Sequence, residues 1–212
     1  MAPTPCPAAM SGFDRRATLL AHNAGLWEGT FVRLEGQADG EAVEAERFAS
    51  RLVVEDRAGT VEADLTNLSS GSVRSMRFAE PPAEMQIAAE GHWSLGPDRI
   101  GAWPWVCELC LAGGDRRRRV VVRLEGERLI SLVVVIEARP GFSDPAPAPP
   151  WRLPAIRQAG GALWRPAPDL EVCARAGAVE LSWQVQPGLL LRLHRVYSEY
   201  GLLRPLDQAA SL

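Results

Sequence analysis

Bulky apolar side chains alternate with polar ones along much of this chain, and a period of two is typical of strands with one buried face. The first clear instance is the segment 25–34, in which Trp27 and Phe31 share one side while Glu28 and Thr30 share the other. We interpret this segment as the first strand of a closed β-barrel, because almost everything that follows it also has the pattern of strands.

Turn residues divide the rest of the chain into short segments of the same kind. One short helix is predicted first, over 14–23, with Ser11 or Asp14 as its N-cap. The predicted strands that follow are 47–56, 60–68, 72–78, 85–93, 103–111, 117–124 and 128–138, and then 170–176, 179–186, 189–200 and 202–206. Repeated short strands with glycine turns are typical of a barrel or a sandwich rather than of alternating helices and strands.

Proline marks the boundaries between the predicted regions. The segment 1–12 is rich in proline and alanine and is interpreted as a flexible tail. Residues 13–140 are predicted to form an all-β, antiparallel barrel of about eight to ten strands, preceded by the short helix. Residues 141–168 are expected to be a proline-rich linker, because prolines cannot donate to a central strand. The strands in 169–212 are too few for a core of their own, so we expect them to complete or flank the barrel.

Composition and charge exclude several classes of function. The chain has 212 residues and a net charge of -3, which argues against binding to nucleic acid, since such binding needs a basic surface. All 23 basic residues are arginines, so no mechanism that needs a catalytic lysine is available. No apolar run is long enough to span a membrane, and no targeting signal is recognised. Four cysteines without such a signal favour reduced thiols in a cytoplasmic protein.

Two local motifs invite a chemical interpretation. Cys107 and Cys110 have the spacing of a redox or zinc motif, but on a strand their sulfurs point to opposite faces, so we expect two buried structural thiols and no metal site. The run 116–119 consists of four arginines, which on a strand would face alternate sides. It is expected to form a solvated rim, or to place one inward-facing pair at the barrel mouth, where guanidinium groups can clamp carboxylates. The sequence does not fix which alternate set faces inward.

Seven tryptophans are a high count for this length. They are interpreted either as core packing or as an aromatic lining for a flat conjugated ligand, because a barrel of eight or more strands leaves room for one. The aromatic candidates for ligand contact are Trp27, Phe31, Trp93 and Trp105. The three histidines are scattered, and no hydrolase triad, phosphate loop or close acidic pair is present.

Several segments together resemble an uncharacterised lipocalin-like family, a domain of unknown function, from oxygenic phototrophs. The resemblance covers roughly residues 20–140 and 170–206. Its matching segments, in order, are 22–33, 77–78, 81–82, 86–87, 93–97, 108–111, 117–122, 183–189 and 192–197. Family members carry more chain between the two matching parts, where this chain has its proline-rich linker, so the resemblance implies one barrel with C-terminal strands added to it.

The resemblance implies a fold more directly than an activity. The family is distantly similar to the lipocalin-type lyases that attach bilins to phycobiliprotein cysteines, in which a cavity holds the bilin and interior charged residues contact its propionates and pyrrole nitrogens. By position, this similarity implies Glu108, Arg118, Glu137 and Arg192 as ligand-contacting residues here. A carboxylate such as Glu108 is the weak candidate for a catalytic acid.

Three functions follow as expectations. The first is a lipocalin-like binder of a hydrophobic small molecule, such as a bilin or other tetrapyrrole, in a photosynthesis-related setting. The second is a bilin lyase or chaperone that hands the chromophore to a phycobiliprotein. The third is a non-enzymatic assembly or scaffold protein with a filled barrel, whose arginine-rich rim meets an acidic partner in photosynthetic assembly.

Overall fold

The computed structural model describes residues 13–101 and 103–206, so the predicted tail over 1–12, with Ser11, lies outside the described residues. One helix and fifteen strands make up this part of the chain. Their bounds are α1 Arg15–Asn23, β1 Gly25–Gly36, β2 Ala42–Arg57, β3 Thr60–Asn67, β4 Val73–Phe78, β5 Gln86–Ile87, β6 Trp93–Leu95, β7 Trp105–Gly113, β8 Arg116–Glu125, β9 Arg128–Ala138, β10 Arg152–Leu153, β11 Ile156–Gln158, β12 Gly161–Ala167, β13 Leu170–Arg175, β14 Ala178–Gln186 and β15 Leu189–Val196.

The predicted N-terminal helix is confirmed, and Asp14 is its N-cap. The Asp14 carboxylate accepts a hydrogen bond from the Ala17 backbone N–H at 2.9 Å, which satisfies one of the free donors of the first turn. The helix buries Leu19, which packs with Met85 and Ile87. The helix is therefore held against the end of the first sheet where β5 lies.

The first sheet is antiparallel and curls into a half-barrel. Its strands follow the order β4-β3-β2-β1-β9-β8-β7-β6-β5, and β10 pairs with β2 outside this path. This confirms the predicted all-β, antiparallel architecture with a short N-terminal helix. In the described residues, however, β4 and β5 lie at the two ends of the sheet and do not pair with each other, so the barrel predicted to be closed is half-open. Pro81 and Pro82 lie between them, and β5 has only two residues, which leaves few donors for closure.

The second sheet flanks the half-barrel. It has the order β11-β12-β13-β14-β15 and packs through β14 and β15 on the outer face of β7 and β8. The C-terminal strands thus add a separate layer, the second of the two arrangements expected from the sequence. The segment 141–168, expected to be a linker, contains β10, β11 and β12, so the second sheet begins before residue 169.

The largest hydrophobic core lies between the two sheets. Strands of the half-barrel contribute their outward-facing residues, among them Val120, Val122 and Leu132, and the second sheet contributes Trp164 and Trp183. All five are at most 1% exposed. In the described ranges, no helix combines the length and the apolar character needed to cross a membrane.

Candidate functional site

The inner face of the half-barrel encloses a cavity of about 380 Å³. This volume falls within the range of small-molecule sites, roughly 300–1,000 Å³. Most of its lining is apolar and comes from α1 and both halves of the sheet: Leu19, Phe31, Leu52, Val54, Val61, Ala63, Leu65, Met76, Phe78, Met85, Trp93, Leu95, Val121, Val133 and Val135. The other lining residues are polar, namely Asn23, Arg74, Ser75, Glu108, Arg117 and Arg119.

Strand alternation decides which residues reach the cavity. On β8, Arg117, Arg119 and Val121 face inward, while the residues between them face the second sheet. On β1, Phe31 faces inward and stacks on Phe48 of β2, with ring centroids 4.4 Å apart. The cavity lining therefore combines an aromatic residue of β1 with two arginines of β8.

The two inward-facing arginines of β8 share one buried carboxylate. Arg117 Nε donates to Glu137 Oε2 at 2.9 Å, and Arg119 Nε donates to the same oxygen at 3.0 Å. Arg119 also donates through Nη2 to Glu137 Oε1 at 3.1 Å and through Nη1 to Glu108 Oε1 at 2.8 Å. We call Arg117, Arg119, Glu137 and Glu108 the paired-arginine network.

The network favours the charged forms of Glu137 and Arg119. Burial alone would raise the pKa of Glu137, but attraction to Arg117 and Arg119 and the hydrogen bonds from them lower this pKa to about 2. Burial acts to lower the pKa of Arg119, but Glu137 and Glu108 outweigh it and raise this pKa above its ordinary value. Within the paired-arginine network, two guanidinium groups are thus matched by two carboxyl groups.

Trp27 packs against Arg117 of the paired-arginine network. Its ring is fully buried and contacts two guanidinium groups, with the ring centroid 4.2 Å from the guanidinium of Arg117 and 4.3 Å from that of Arg139. Its Nε1 donates to the Asn23 backbone carbonyl at 2.9 Å. The Asn23 side-chain oxygen in turn accepts from Trp93 Nε1 at 3.2 Å, so the C-terminal residue of α1 links the two tryptophans.

One nitrogen of the network lacks a well-oriented acceptor. Arg117 is 1% exposed, and its Nη2 lies 2.8 Å from Glu137 Oε2 but makes no directional hydrogen bond to any described residue. A buried donor of this kind has a cost that a ligand acceptor would remove. The polar wall of the cavity therefore has unused hydrogen-bonding capacity.

Five of the sequence-predicted site residues lie at or beside the cavity. Phe31, Trp93 and Glu108 line it. Glu137 binds both lining arginines, and Trp27 stacks behind one of them. The structure therefore brings together residues from β1, β6, β7 and β9 that the sequence suggested only separately.

The other three predicted site residues lie elsewhere. Trp105 has the outward parity of β7 and packs in the core between the sheets, with its ring 5.3 Å from that of Tyr197. Arg118 also faces outward, where Asp144 and Asp169 pair with it and its guanidinium lies over Trp183. Arg192 is exposed on β15 of the second sheet. None of the three lines the cavity, because their strand positions turn them away from it.

The arginine run does not form the solvated rim expected from the sequence. Arg116 is exposed, but the next three arginines are at most 9% exposed. The reason is that both faces of β8 are buried. The second sheet covers the outer face, and the inner face lies within the half-barrel. Arg117 and Arg119 are thus site residues that the sequence left undecided, since strand parity alone could not tell them from Arg118.

The two cysteines of the spaced pair diverge, as predicted. Cys107 lies in the core between the sheets, whereas Cys110 Sγ lies 3.9 Å from Asn23 Oδ1 on the opposite side of β7. Burial raises the pKa of each thiol to about 12.

His92 is buried and accepts a hydrogen bond through Nδ1 from the Ala112 backbone N–H at 3.2 Å. Across residues 13–101 and 103–206, no three potential ligands cluster to hold a metal ion.

Fold and cavity define a calycin-like half-barrel with a ligand-sized internal space. No protein-family model matches the sequence, and no curated protein matches it either. The chain is similar to the crystal structure of a protein of unknown function from the DUF3598 family of the cyanobacterium Nostoc punctiforme. The TM-score is 0.64 at 18% sequence identity, over 88% of this chain and 94% of that chain. This likeness establishes a shared fold with an uncharacterised cyanobacterial protein.

Proposed function

We propose that this protein binds a hydrophobic small molecule on the inner face of the half-barrel. The observation that carries the proposal is the apolar cavity of about 380 Å³ on the inner face, beside a core between the sheets whose residues are buried. Native interiors seldom keep such a space without a use, because unfilled volume costs dispersion contacts. The polar groups at one wall would then orient the ligand, as in small-molecule sites generally.

A matched pair of variants tests this proposal. Ala63 lines the cavity, so Ala63→Phe would fill it, whereas Ala49 is exposed on the outer face of β2 and Ala49→Phe would not. Phenylnaphthylamine, a neutral apolar dye that fluoresces in apolar sites, serves as the ligand. We expect saturable binding to the native protein and to Ala49→Phe, and binding at least about tenfold weaker to Ala63→Phe. No saturable binding to the native protein, or equal binding to all three, would refute the proposal.

Tetrapyrroles are the first natural ligand class to test. Phe31 and Trp93 provide aromatic surface, and Glu108 is a carboxylate that faces the cavity and can accept from pyrrole N–H groups. Biliverdin added to the native protein should shift its absorbance spectrum, and the shift should be lost in Ala63→Phe. If the protein leaves the absorbance spectrum of biliverdin unchanged, bilins are excluded as ligands, and other apolar ligands remain to be tested.

A bilin lyase is the second candidate, and Glu108 is the observation that favours it. Its carboxylate is partly exposed to the cavity and bound to Arg119, so it could polarise a bound chromophore. Incubation of the bilin-loaded protein with an apo-phycobiliprotein would reveal covalent transfer, and Glu108→Gln should slow that transfer. If the bilin stays with this protein, it is a passive binder. The scaffold alternative has less support, since the inner space is open and three of the four arginines of its expected rim are buried.

A further inference from the structure

The two ends of the cavity wall differ in their charge balance. Deep in the half-barrel, Arg117 and Arg119 are neutralised by Glu137 and Glu108. At the mouth, Arg74 on the end strand β4 also lines the cavity, and this arginine is exposed. Among the described residues, Arg74 has no ion-pair or hydrogen-bond partner. The mouth therefore holds an uncompensated positive charge, and the interior does not.

We infer that the cavity takes an amphipathic anion whose charged head group lies at the mouth beside Arg74, with its apolar body inside. This inference rests on the proposed function and adds to it the class and orientation of the ligand. A guanidinium group recognises carboxylate, sulfonate and phosphate oxygens alike, so the shared chemistry is an anionic oxygen cluster.

The reverse orientation is disfavoured by electrostatics. An anion placed beside the paired-arginine network would also approach Glu137 and Glu108, and it would lose its hydration in a largely apolar space. Nη2 of Arg117, which makes no directional hydrogen bond, can instead donate to a neutral acceptor, such as a carbonyl or hydroxyl group on the ligand body. The mouth, in contrast, lets a head group keep part of its water while it pairs with Arg74.

The walls between these two points are apolar, as the body of such a ligand requires. Leu65 pairs with Arg74 across β3 and β4, and Ala63 pairs with Met76, and all four line the cavity. Met76 is 45% exposed, which leaves apolar surface at the mouth itself. An apolar body would cover this surface, and an unpaired arginine beside it would meet the head group.

Arg77 supplies the matched control. It is the other arginine of β4, three residues along, and so faces the outer side of the strand, where it pairs with Glu62 at 3.1 Å. Arg74→Met and Arg77→Met thus remove the same charge from the same strand, one inside the cavity and one outside it. Arg74→Lys keeps the charge and serves as the conservative variant.

Two dyes that differ only in a sulfonate group test the inference. Phenylnaphthylamine is neutral, and anilinonaphthalene sulfonate is the same skeleton with an anionic head group. At low ionic strength, we expect Arg74→Met to weaken binding of the sulfonate dye by about two- to fivefold and to leave binding of the neutral dye almost unchanged. Arg77→Met should change neither affinity, Arg74→Lys should restore most of the loss, and added salt should shrink it.

The alternative outcomes separate this inference from the proposed function. If Arg74→Met leaves the affinity for the sulfonate dye unchanged, or weakens both dyes equally, the assigned head-group position is wrong while the apolar site stands. If Ala63→Phe blocks neither dye, both bind outside the cavity, and the proposed function fails together with the inference. A selective loss of sulfonate binding in Arg74→Met, blocked for both dyes by Ala63→Phe, supports both.

Discussion

The two faces of the half-barrel are built from the same strands, but the rest of the chain covers them differently. The outer face is covered by the second sheet, and side chains such as Leu132 and Trp183 are fully buried between the two sheets. The inner face is covered in part by α1 and by Met85, and it leaves a cavity. The difference teaches that the second sheet provides the stability that lets the inner face remain unfilled, which is the condition for a binding site in a small β protein.

The largest expected effect comes from a pair of leucine truncations, one on each face. Leu132→Ala would leave a void in the core between the sheets, and we expect it to lower the free energy of unfolding by about 4 kcal/mol. Leu52→Ala would merely enlarge a space that already exists, at a cost of about 2 kcal/mol. Chemical denaturation measures both. Equal losses would mean that the inner face is packed as tightly as the outer one.

The next prediction concerns the charge on the inner face. Glu137→Gln would leave Arg117 and Arg119 buried with one carboxylate fewer, and breaking a buried ion pair in this way costs about 3 kcal/mol or more. Glu108→Gln is the matched control, because this carboxylate is partly exposed and bound to Arg119 alone, so its loss should cost no more than about 1 kcal/mol. A Glu137→Gln variant as stable as the Glu108→Gln variant would contradict the structural role assigned to Glu137.

The Glu137 carboxylate makes the free energy of unfolding depend on pH, and the sign of this dependence is definite. Its pKa is lowered from 4.5 to about 2 in the folded protein, so the folded state favours the ionised form. The resulting stabilisation, on the order of 3 kcal/mol, is present in full above pH 4.5 and is lost as the pH falls towards about 2. Unfolding free energies measured across this range should fall less steeply in Glu137→Gln than in the native protein. Parallel curves would show that Glu137 does not titrate in this way.

Sequence patterns predicted the fold well where one face of a strand is polar. The alternation of Trp27 and Phe31 against Glu28 and Thr30 located β1 correctly. The pattern failed where backbone geometry intervenes. A single strand was predicted over 85–93, but the structure forms two short strands there, with Gly91 at a φ of +80° in the turn between them. Such a turn depends on local hydrogen bonding that apolar periodicity does not report.

Proline misled the prediction of the second sheet. The segment 141–168 was expected to be a linker, yet β12 runs through Pro166. The pairing of β12 with β13 shifts register between Trp164 and Ala167, so the proline occupies an irregularity where no ladder donor is needed. A bulge of this kind depends on the partner strand, which the segment itself does not reveal.

The site was harder to predict than the fold because both faces of β8 are buried. Period-two reasoning assumes that one face meets water, and it then separates inward from outward residues. Arg118 and Arg119 both form ion pairs with carboxylates, Arg118 between the sheets and Arg119 beside the cavity. Neither the apolar pattern of the sequence nor the charge of the side chains therefore distinguishes the two arginines. The distinguishing fact is the position of the second sheet, which only the three-dimensional structure supplies.

The last prediction for the two faces is a difference in thiol labelling. Cys107 reports on the core between the sheets and Cys110 on the inner side, and burial raises both pKa values to about 12, so neither thiol reacts at mildly alkaline pH until its region opens. In variants that keep only one of them, with all other cysteines changed to Ser, we expect Cys110 to be labelled about tenfold faster, because its face is covered by one short helix.

Ligand should then slow the labelling of one thiol more than that of the other. Saturating phenylnaphthylamine should slow the labelling of Cys110, because a bound molecule stabilises the closed inner face, whereas opening between the sheets at Cys107 should be slowed less. Mass spectrometry of each single-cysteine variant measures both rates. If ligand slows the two thiols equally, both are labelled through global unfolding, and the inner face is not an independently opening region.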